Sequence, residues 1–294
     1  MSAGQAGNAV DSHTVLYGVI GDPIRHSKSP VMMNRAFRET GINGVYCAFH
    51  IRQDQLGEFA AGVRVMGIRG INVTIPHKLD IMKYMDELDA SAEAIGAVNT
   101  IVNDDGRLTG YNTDGIGYVR SLKEEAESDL SGKRIVLLGA GGASRGILYA
   151  LTKERPERIT LTNRTLERAQ SLASDFRQYA EVAAVSNDQL EKVCSEADIV
   201  INTTSVGMFP HVEDVPVDVS WLRPDAVASD LIYNPLTTKF LRQAQERGCR
   251  IHGGLGMFIY QGAYAFEYWT GKPAPAAAMR ETVLEALGAS LPGK

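Results

Sequence analysis

The sequence predicts an α/β protein of two domains, and three observations carry that prediction. The chain has 294 residues, about twice the length of a typical single domain. From Thr14 onward, short β-rich runs alternate with longer amphipathic ones, the pattern of α/β construction. At Ser131 the alternation restarts with GKRIVLLGAGGASRGILYAL, which reads as a buried strand, a glycine turn and a helix. The composition, 44% hydrophobic and 22% charged, is that of a globular chain and unlike disordered, collagen-like or coiled-coil sequences.

The elements follow in order. TVLYGVI is a strand, a helix runs from Pro30, VYCAFHI is the next strand, and a second helix covers Asp54 to Met66. GINVT is a third strand leading into PHKLDIMKYM, where Pro76 opens a helix and puts Lys78 in its first turn. AVNTIV is a fourth strand, and DDGRLTG turns it onto a paired partner. Beyond Ser131, RITLTNR, ADIVIN and AVASDLIY supply further strands, so the region from about Asp114 to Gly253 reads as a doubly wound parallel sheet. The last forty or so residues hold no strand candidate and read as helices. The expected division is 1–113 with 254–294 as one domain and 114–253 as the other. Met1 to Ser12 reads as a small polar tail without the apolar core of a secretory signal.

Charge and cysteine content narrow the function. A net charge of −5 argues against general binding to a nucleic-acid backbone, which calls for a basic stripe. No run approaches the ~18 apolar residues of a membrane span. Cys47, Cys194 and Cys249 are odd in number and lack metal-ligand spacing, so no disulfide framework and no metal site is expected, and a cytoplasmic location fits. No serine–histidine–acid order stands out, and His26, His50 and His77 read as packing or surface residues.

Gly139, Gly141 and Gly142 follow an apolar strand and precede a helix, the context in which glycines let a backbone approach a pyrophosphate at a helix N-terminus. The third small position is Ser144. A tight strand-to-helix turn without a ligand would use the same residues. At the end of the next strand, where an NAD site usually carries a carboxylate for the ribose hydroxyls, stand Asn163 and Arg164, with Arg168 one helical turn on. Two guanidinium groups suit the 2′-phosphate of NADP; a solvated basic helix start is the plainer account.

Several polar residues resist a purely structural account. In an extended segment Ser27 and Ser29 would point the same way. Capping of a helix that begins at Pro30 explains Ser29 as well as binding does, and leaves Ser27 unexplained. Lys78 in a first helical turn opposes the helix dipole, although an exposed lysine on a short helix is the ordinary case. Asn99 interrupts an apolar run, and Asp114 either caps a helix from Gly115 or binds something. All lie near strand ends, where open α/β sheets bind ligands.

Taken together, HSKSP, GINVTIPHK, GAVNT, GYNTDG, GAGGASRG, TNRT, NTTSVGM, DLIYNP and GLGMFIYQ, in this order from about Tyr17 to Gln261, make the chain resemble the shikimate dehydrogenases. The resemblance implies an N-terminal α/β substrate domain, a doubly wound Rossmann domain for NADP, and C-terminal helices that return to the first domain. It implies NADP-dependent hydride transfer between shikimate and 3-dehydroshikimate in aromatic amino-acid biosynthesis. The implied substrate contacts are Ser27, Ser29, Thr74, Lys78, Asn99, Asp114, Tyr233 and Gln261, with Lys78 and Asp114 as the catalytic pair. The implied cofactor contacts are Gly139, Ala140, Gly141, Gly142, Ala143, Asn163, Arg164, Thr165, Arg168, Thr204, Gly254 and Met257.

The partner implied is a small molecule, with a monomer or homodimer expected. Two alternatives stand beside this reading. One is a quinate/shikimate dehydrogenase of broader range, against which the NRT segment and the serine pair argue. The other is a catalytically silent ligand-sensing regulator, which should lack the Lys78 and Asp114 pair. The acidic stretch HVEDVPVD at 211–218 reads as a surface loop near the cofactor, with no assigned mechanism.

Overall fold

The computed structural model describes residues 10–289, and the chain divides into two compact units: Met1–Thr113 with Gly262–Lys294, and Asp114–Gln261. Residues 1–9 of the expected tail lie outside the described residues. Asp11 is not frayed, because its carboxylate accepts from Asn43 Nδ2 and the His13 N–H, both at 2.8 Å.

The first unit runs β1 (Val15–Gly21), α1 (Ser29–Thr40), β2 (Gly44–His50), α2 (Leu56–Val65), β3 (Gly70–Val73), β4 (Glu87–Leu88), α3 (Ala90–Ile95), β5 (Thr100–Asp104) and β6 (Arg107–Tyr111). Its described strands form one mixed sheet in the order β2-β1-β3-β5-β6-β4, parallel at β1 and antiparallel at β3–β5 and β5–β6. Helix α1 buries Met32, Met33, Ala36 and Phe37 along one stripe, the spacing of an amphipathic helix. Ile20, Ile71, Val73, Ile81, Val98, Ile101 and Leu108 fill the core with Leu56, Ala60 and Val63 of α2. The DDG turn joins β5 to β6 with Asp105 and Gly106 both at positive φ, 49° and 92°, as a two-residue hairpin of the favoured twist needs.

Two local expectations change. Pro76 opens no helix: residues 75–79 form a turn, after a cis Ile75–Pro76 bond, and a short 3-10 helix follows at Asp80–Tyr84. The turn is closed by His77, whose N–H donates to the Thr74 carbonyl (3.0 Å), whose carbonyl accepts from Ile81 N–H (3.0 Å), and whose buried ring meets the Ile51 carbonyl at 2.6 Å. Lys78 therefore opposes no helix dipole. Helix α1 begins at Ser29 rather than Pro30, and the N-cap position is Lys28, in helical backbone and without a side-chain cap. Capping does not account for Ser29, and the segment between the serines is not extended.

The second unit runs α4 (Asp114–Glu125), β7 (Arg134–Leu138), α5 (Gly142–Thr152), β8 (Arg158–Thr162), α6 (Leu166–Phe176), β9 (Val182–Ala184), α7 (Leu190–Glu196), β10 (Ile199–Asn202), β11 (Val227–Asp230), α8 (Lys239–Glu246), β12 (Arg250–His252) and the start of α9 (Leu255–Thr270). Its described strands are all parallel, in the order β12-β11-β10-β7-β8-β9, so the winding reverses between β7 and β10, the switch point where such sheets bind nucleotides. Strands buried on both faces read as apolar runs, and IVLL of β7 and IVI of β10 do so. The short strands β9 and β12 carry too few apolar residues to stand out in the sequence.

The second boundary falls inside α9, at Gly262 rather than at 254. The first turns of α9 belong to the second core, where Met257 packs with Tyr118 and Leu122. Gly262 lies against Met32 and Met279 of the first unit, where Trp269 Nε1 also donates to the Ile101 carbonyl at 2.9 Å. Helix α10 (Ala276–Ala286) packs on α1, as the expected return of the C-terminal helices requires.

Helices α4 and α5 approach so closely that a Cβ on Gly115 would run into the Gly146 carbonyl and stand 2.9 Å from Ala150 Cβ. Gly115→Ala should therefore destabilise the second unit by about 1–3 kcal/mol through overpacking, measured as a lower urea midpoint at unchanged slope.

Candidate active site

In the first unit, five of the expected substrate residues gather at one end of the sheet. Ser27 and Ser29 follow β1, and Ser29 N–H donates to Ser27 Oγ at 3.2 Å, which holds the Ser27 hydroxyl against the start of α1. Thr74 follows β3, its N–H donating to the Ile20 carbonyl at 3.0 Å, and Gly21 of β1 lies against its methyl. Lys78 is tied to the strand beside it, since its carbonyl accepts from Val98 N–H at 2.8 Å. Asn99 precedes β5, with its own N–H on the Tyr111 carbonyl at 3.0 Å.

A buried polar ladder runs beneath them. The Tyr46 hydroxyl donates to Asn72 Oδ1 at 2.7 Å. Asn72 Nδ2 reaches Thr100 Oγ1 at 3.1 Å and the Asn99 carbonyl at 3.3 Å. Asn99 Nδ2 donates to Thr113 Oγ1 (3.0 Å) and its Oδ1 accepts from Thr113 N–H (2.8 Å). Burial pushes the Tyr46 phenol well above its ordinary value, so it stays a neutral donor. Asn99 is thus a buried hub of the loop that ends at Thr113, one peptide before Asp114.

Within the second unit, Asp114 is the buried first residue of α4, where a carboxylate suits the helix dipole. Gly117, one turn on, lies against the backbone of Gln261. Gln261 Nε2 donates to the Phe258 carbonyl at 2.8 Å, and the Phe258 ring stacks on Tyr233 with centroids 4.5 Å apart. Burial raises the Tyr233 phenol above its ordinary range. Asp114, Tyr233 and Gln261 are therefore linked through α4 and α9.

The glycine turn has the form a phosphate needs. Gly139 sits at φ +119°, and a Cβ there would be 2.6 Å from Thr203 Oγ1, so only glycine serves. Gly141 and Gly142 have nothing within 4 Å of where a side chain would begin, leaving open space at the start of α5. Ser144 locks the turn: its Oγ accepts from Gly141 N–H at 3.1 Å and meets Thr203 Oγ1 at 2.6 Å. Beside it a cavity of about 550 Å³ is lined by Gly139, Asn163, Arg164, Thr165, Arg168 and Thr204, together with Asn187, Leu190, Pro216, Val217, Asp218 and Trp221. Ala140 leads into the adjoining helix start, where Gly141 is the N-cap residue and Gly142 and Ala143 open α5. Gly254 packs on the backbone of Leu231 and Ile232, and Met257 is a core residue; neither lines the cavity.

Residues 19–101 match the shikimate dehydrogenase substrate binding domain, residues 121–210 the shikimate/quinate 5-dehydrogenase domain, and residues 254–284 the shikimate 5′-dehydrogenase C-terminal domain. The shikimate dehydrogenase (NADP(+)) of Geobacillus kaustophilus is 50% identical over 272 residues, covering 92% of this chain and 98% of that one. The chain belongs to the shikimate dehydrogenase family. Among solved family structures, the Thermus thermophilus enzyme in complex with NADP(H) and shikimate is similar at a TM-score of 0.84 and 37% identity, covering 92% of this chain and 99% of that one. The quinate dehydrogenase of Corynebacterium glutamicum in complex with NAD is similar at 0.87 and 31%, over 92% and 99%.

On this family scaffold the structure adds a clasp that sequence reasoning did not single out. Asn202 and Asp230, register partners at the ends of β10 and β11, are both buried, and Asn202 Nδ2 donates to Asp230 Oδ1 at 3.2 Å. Asn202 Oδ1 accepts from the Thr204 hydroxyl at 2.7 Å, which holds the cavity-lining loop. Asp230 also accepts from Ile232 N–H (3.0 Å) and the Thr238 hydroxyl (2.8 Å). The available signal was a polar residue closing each of the apolar runs IVIN and VASD. Asn187 and Trp221, in short 3-10 helices, and Asp218, which caps the second of these, carried no such signal. His50 meets Asp22 at 2.7 Å and His26 is exposed, the surface roles expected of them, and His77 is buried in its turn.

Burial lifts the Asp230 carboxyl to about 6. The unfolded chain gives up this proton near the ordinary value, so the folded state holds it more tightly, and stability falls as pH rises from about 4 to about 6. Asparagine can keep all three hydrogen bonds, its amide donating to the Thr238 hydroxyl. Asp230→Asn should remove that decline, stabilising the protein by roughly 3 kcal/mol at neutral pH with no gain at pH 4, as followed by thermal melting across pH.

Proposed function

We propose that this protein interconverts 3-dehydroshikimate and shikimate with NADP(H), in the reducing direction of aromatic amino-acid biosynthesis, in the cytoplasm. The observation that carries this reading is the gathering of Ser27, Ser29, Thr74, Lys78 and Asn99 at one sheet end of the unit that matches the substrate binding domain. The three cysteines are unpaired thiols, which suits a reducing compartment.

The residues fit NADP. The open space at Gly141 and Gly142 admits a pyrophosphate to the N–H groups of α5. Arg164 and Arg168, exposed in the cavity wall at the end of β8, offer planar donors to a 2′-phosphate where an NAD site would carry a carboxylate. When bound, NADP supplies or accepts the hydride at C3 of the substrate.

The chain's own residues handle the proton and the orientation. Ser27 and Ser29 hold the substrate carboxylate as hydroxyl donors, with Tyr233 near it. Thr74, Asn99 and Gln261 hold ring hydroxyls. Lys78 donates a proton to the C3 oxygen as the ketone is reduced and accepts it from the alcohol in reverse. Asp114 orients that oxygen's hydroxyl and stabilises the lysine ammonium.

The quinate reading keeps one specific support, the similarity to a quinate dehydrogenase. Initial rates with shikimate and quinate, each against NADP and NAD, separate the two. Strong turnover with shikimate and NADP alone is expected, and comparable rates with quinate or NAD would assign the broader enzyme. In the same assay Lys78→Ala should lower turnover by about 10²-fold or more at nearly unchanged NADP affinity; near-normal turnover would remove Lys78 from its role. Arg164→Ala should weaken NADP by about tenfold while leaving NAD nearly unaffected, and equal losses for both cofactors would refute the phosphate clamp.

A further inference from the structure

Asp230 is a buried carboxylate for which the proposed chemistry has no use. It ends β11 with its side chain wholly enclosed, and its partners, Asn202, Thr238 and the Ile232 N–H, are all neutral. A buried carboxylate without a cation is unfavourable, yet asparagine would satisfy the same partners. The negative charge is the one property that asparagine lacks.

Its place in the sheet indicates what the charge faces. A dinucleotide lies across the strand ends of such a sheet, one nucleotide over each half. Arg164 and Arg168 stand just past the end of β8, on the half built on β7, β8 and β9. The other half is β10, β11 and β12, and Asp230 closes its middle strand. The Leu231–Ile232 backbone next to it packs directly on Gly254. The nicotinamide ring falls to this half, and it is cationic when oxidised and neutral when reduced.

We infer that Asp230 is a redox-discriminating residue: its uncompensated carboxylate, at the strand ends of the nicotinamide half, favours bound NADP+ over bound NADPH. This rests on the reading that the protein binds NADP. A charge acting through a poorly polarisable interior at ~10 Å discriminates by about tenfold. Tighter binding of the oxidised form draws the equilibrium on the protein toward the alcohol, because forming the alcohol leaves the cofactor oxidised. The preference fades in acid as Asp230 takes up a proton near pH 6.

Other titratable groups near Asp230 are accounted for. Tyr118 on α4, bonded to Ser229 at 2.7 Å, is held neutral by burial. His252 on β12 meets Ser229 at 2.9 Å and Ser121 at 2.7 Å, with Glu125 at 4.0 Å. His252 bonds to Ser229 and Ser121 rather than to Asp230, so its contacts remain in Asp230→Asn and the variant separates the two.

The test is equilibrium binding of NADP+ and NADPH to the full chain and to Asp230→Asn from pH 5.5 to 8. The 2′-phosphate and its arginines are common to both cofactors and cancel in the ratio of the two dissociation constants. The wild-type preference for NADP+ should grow by about threefold across this range, while the variant shows a flat ratio about threefold below the wild-type value at pH 5.5. A flat wild-type ratio, or the same slope in the variant, would overturn the inference. Failure of both cofactors to bind would overturn the NADP reading and the inference with it.

Discussion

The buried ladder from Tyr46 through Asn72 and Thr100 to Asn99 and Thr113 is the constraint on which the first unit's site depends. Each rung satisfies a polar group that water cannot reach, and leaving one unpaired costs about 1–3 kcal/mol. The sheet therefore tolerates little freedom in how β2, β3 with the turn that follows it, and the Asn99 loop lie relative to one another. Apolar packing holds the strands in place, but hydrogen bonds between specific atoms set the relative positions of hydroxyl, amide and ammonium groups.

The second unit meets a different demand, holding a highly charged ligand at the ends of an apolar sheet. Its answer is distributed. Glycines clear the approach to one helix terminus, two exposed guanidinium groups stand at the end of β8, and the Asn202–Asp230 clasp fixes the loop between them and β11. Asp218 lies in the same cavity wall as the arginines, its carboxylate held below the usual range by the Ser220 N–H. The stretch 211–218, which carried no mechanism as sequence, thus closes one side of the cavity through Pro216, Val217 and Asp218.

Much of the fold was legible because period and punctuation agree. Apolar runs such as IVLL and IVI, and the DDG hairpin, state their own structure, and the parallel second sheet follows from them. The cavity wall was legible where chemistry stood out against its surroundings, as with Arg164, which lines it where an NAD site usually has a carboxylate. Errors arose where a rule was local and the cause was tertiary. Pro76 reads as a helix start, but the His77 ring on the Ile51 carbonyl turns the chain instead. Ser29 reads as a cap, but the helix begins one residue earlier, with Lys28 at the cap position. Asp230 was invisible for the same reason: a carboxylate at the end of a strand looks like an exit to solvent until the packing around it is known.

The contact of Gly115 with the Gly146 carbonyl has a mechanical meaning. It welds α4, whose first residue is Asp114, to α5, whose N-terminus carries the glycine turn. The carboxylate and the phosphate-facing turn are consequently one rigid part, and a hinge inserted between them would have to break a backbone contact first. Asp114 and the glycine turn are thereby held to one alignment through the close packing of α4 on α5.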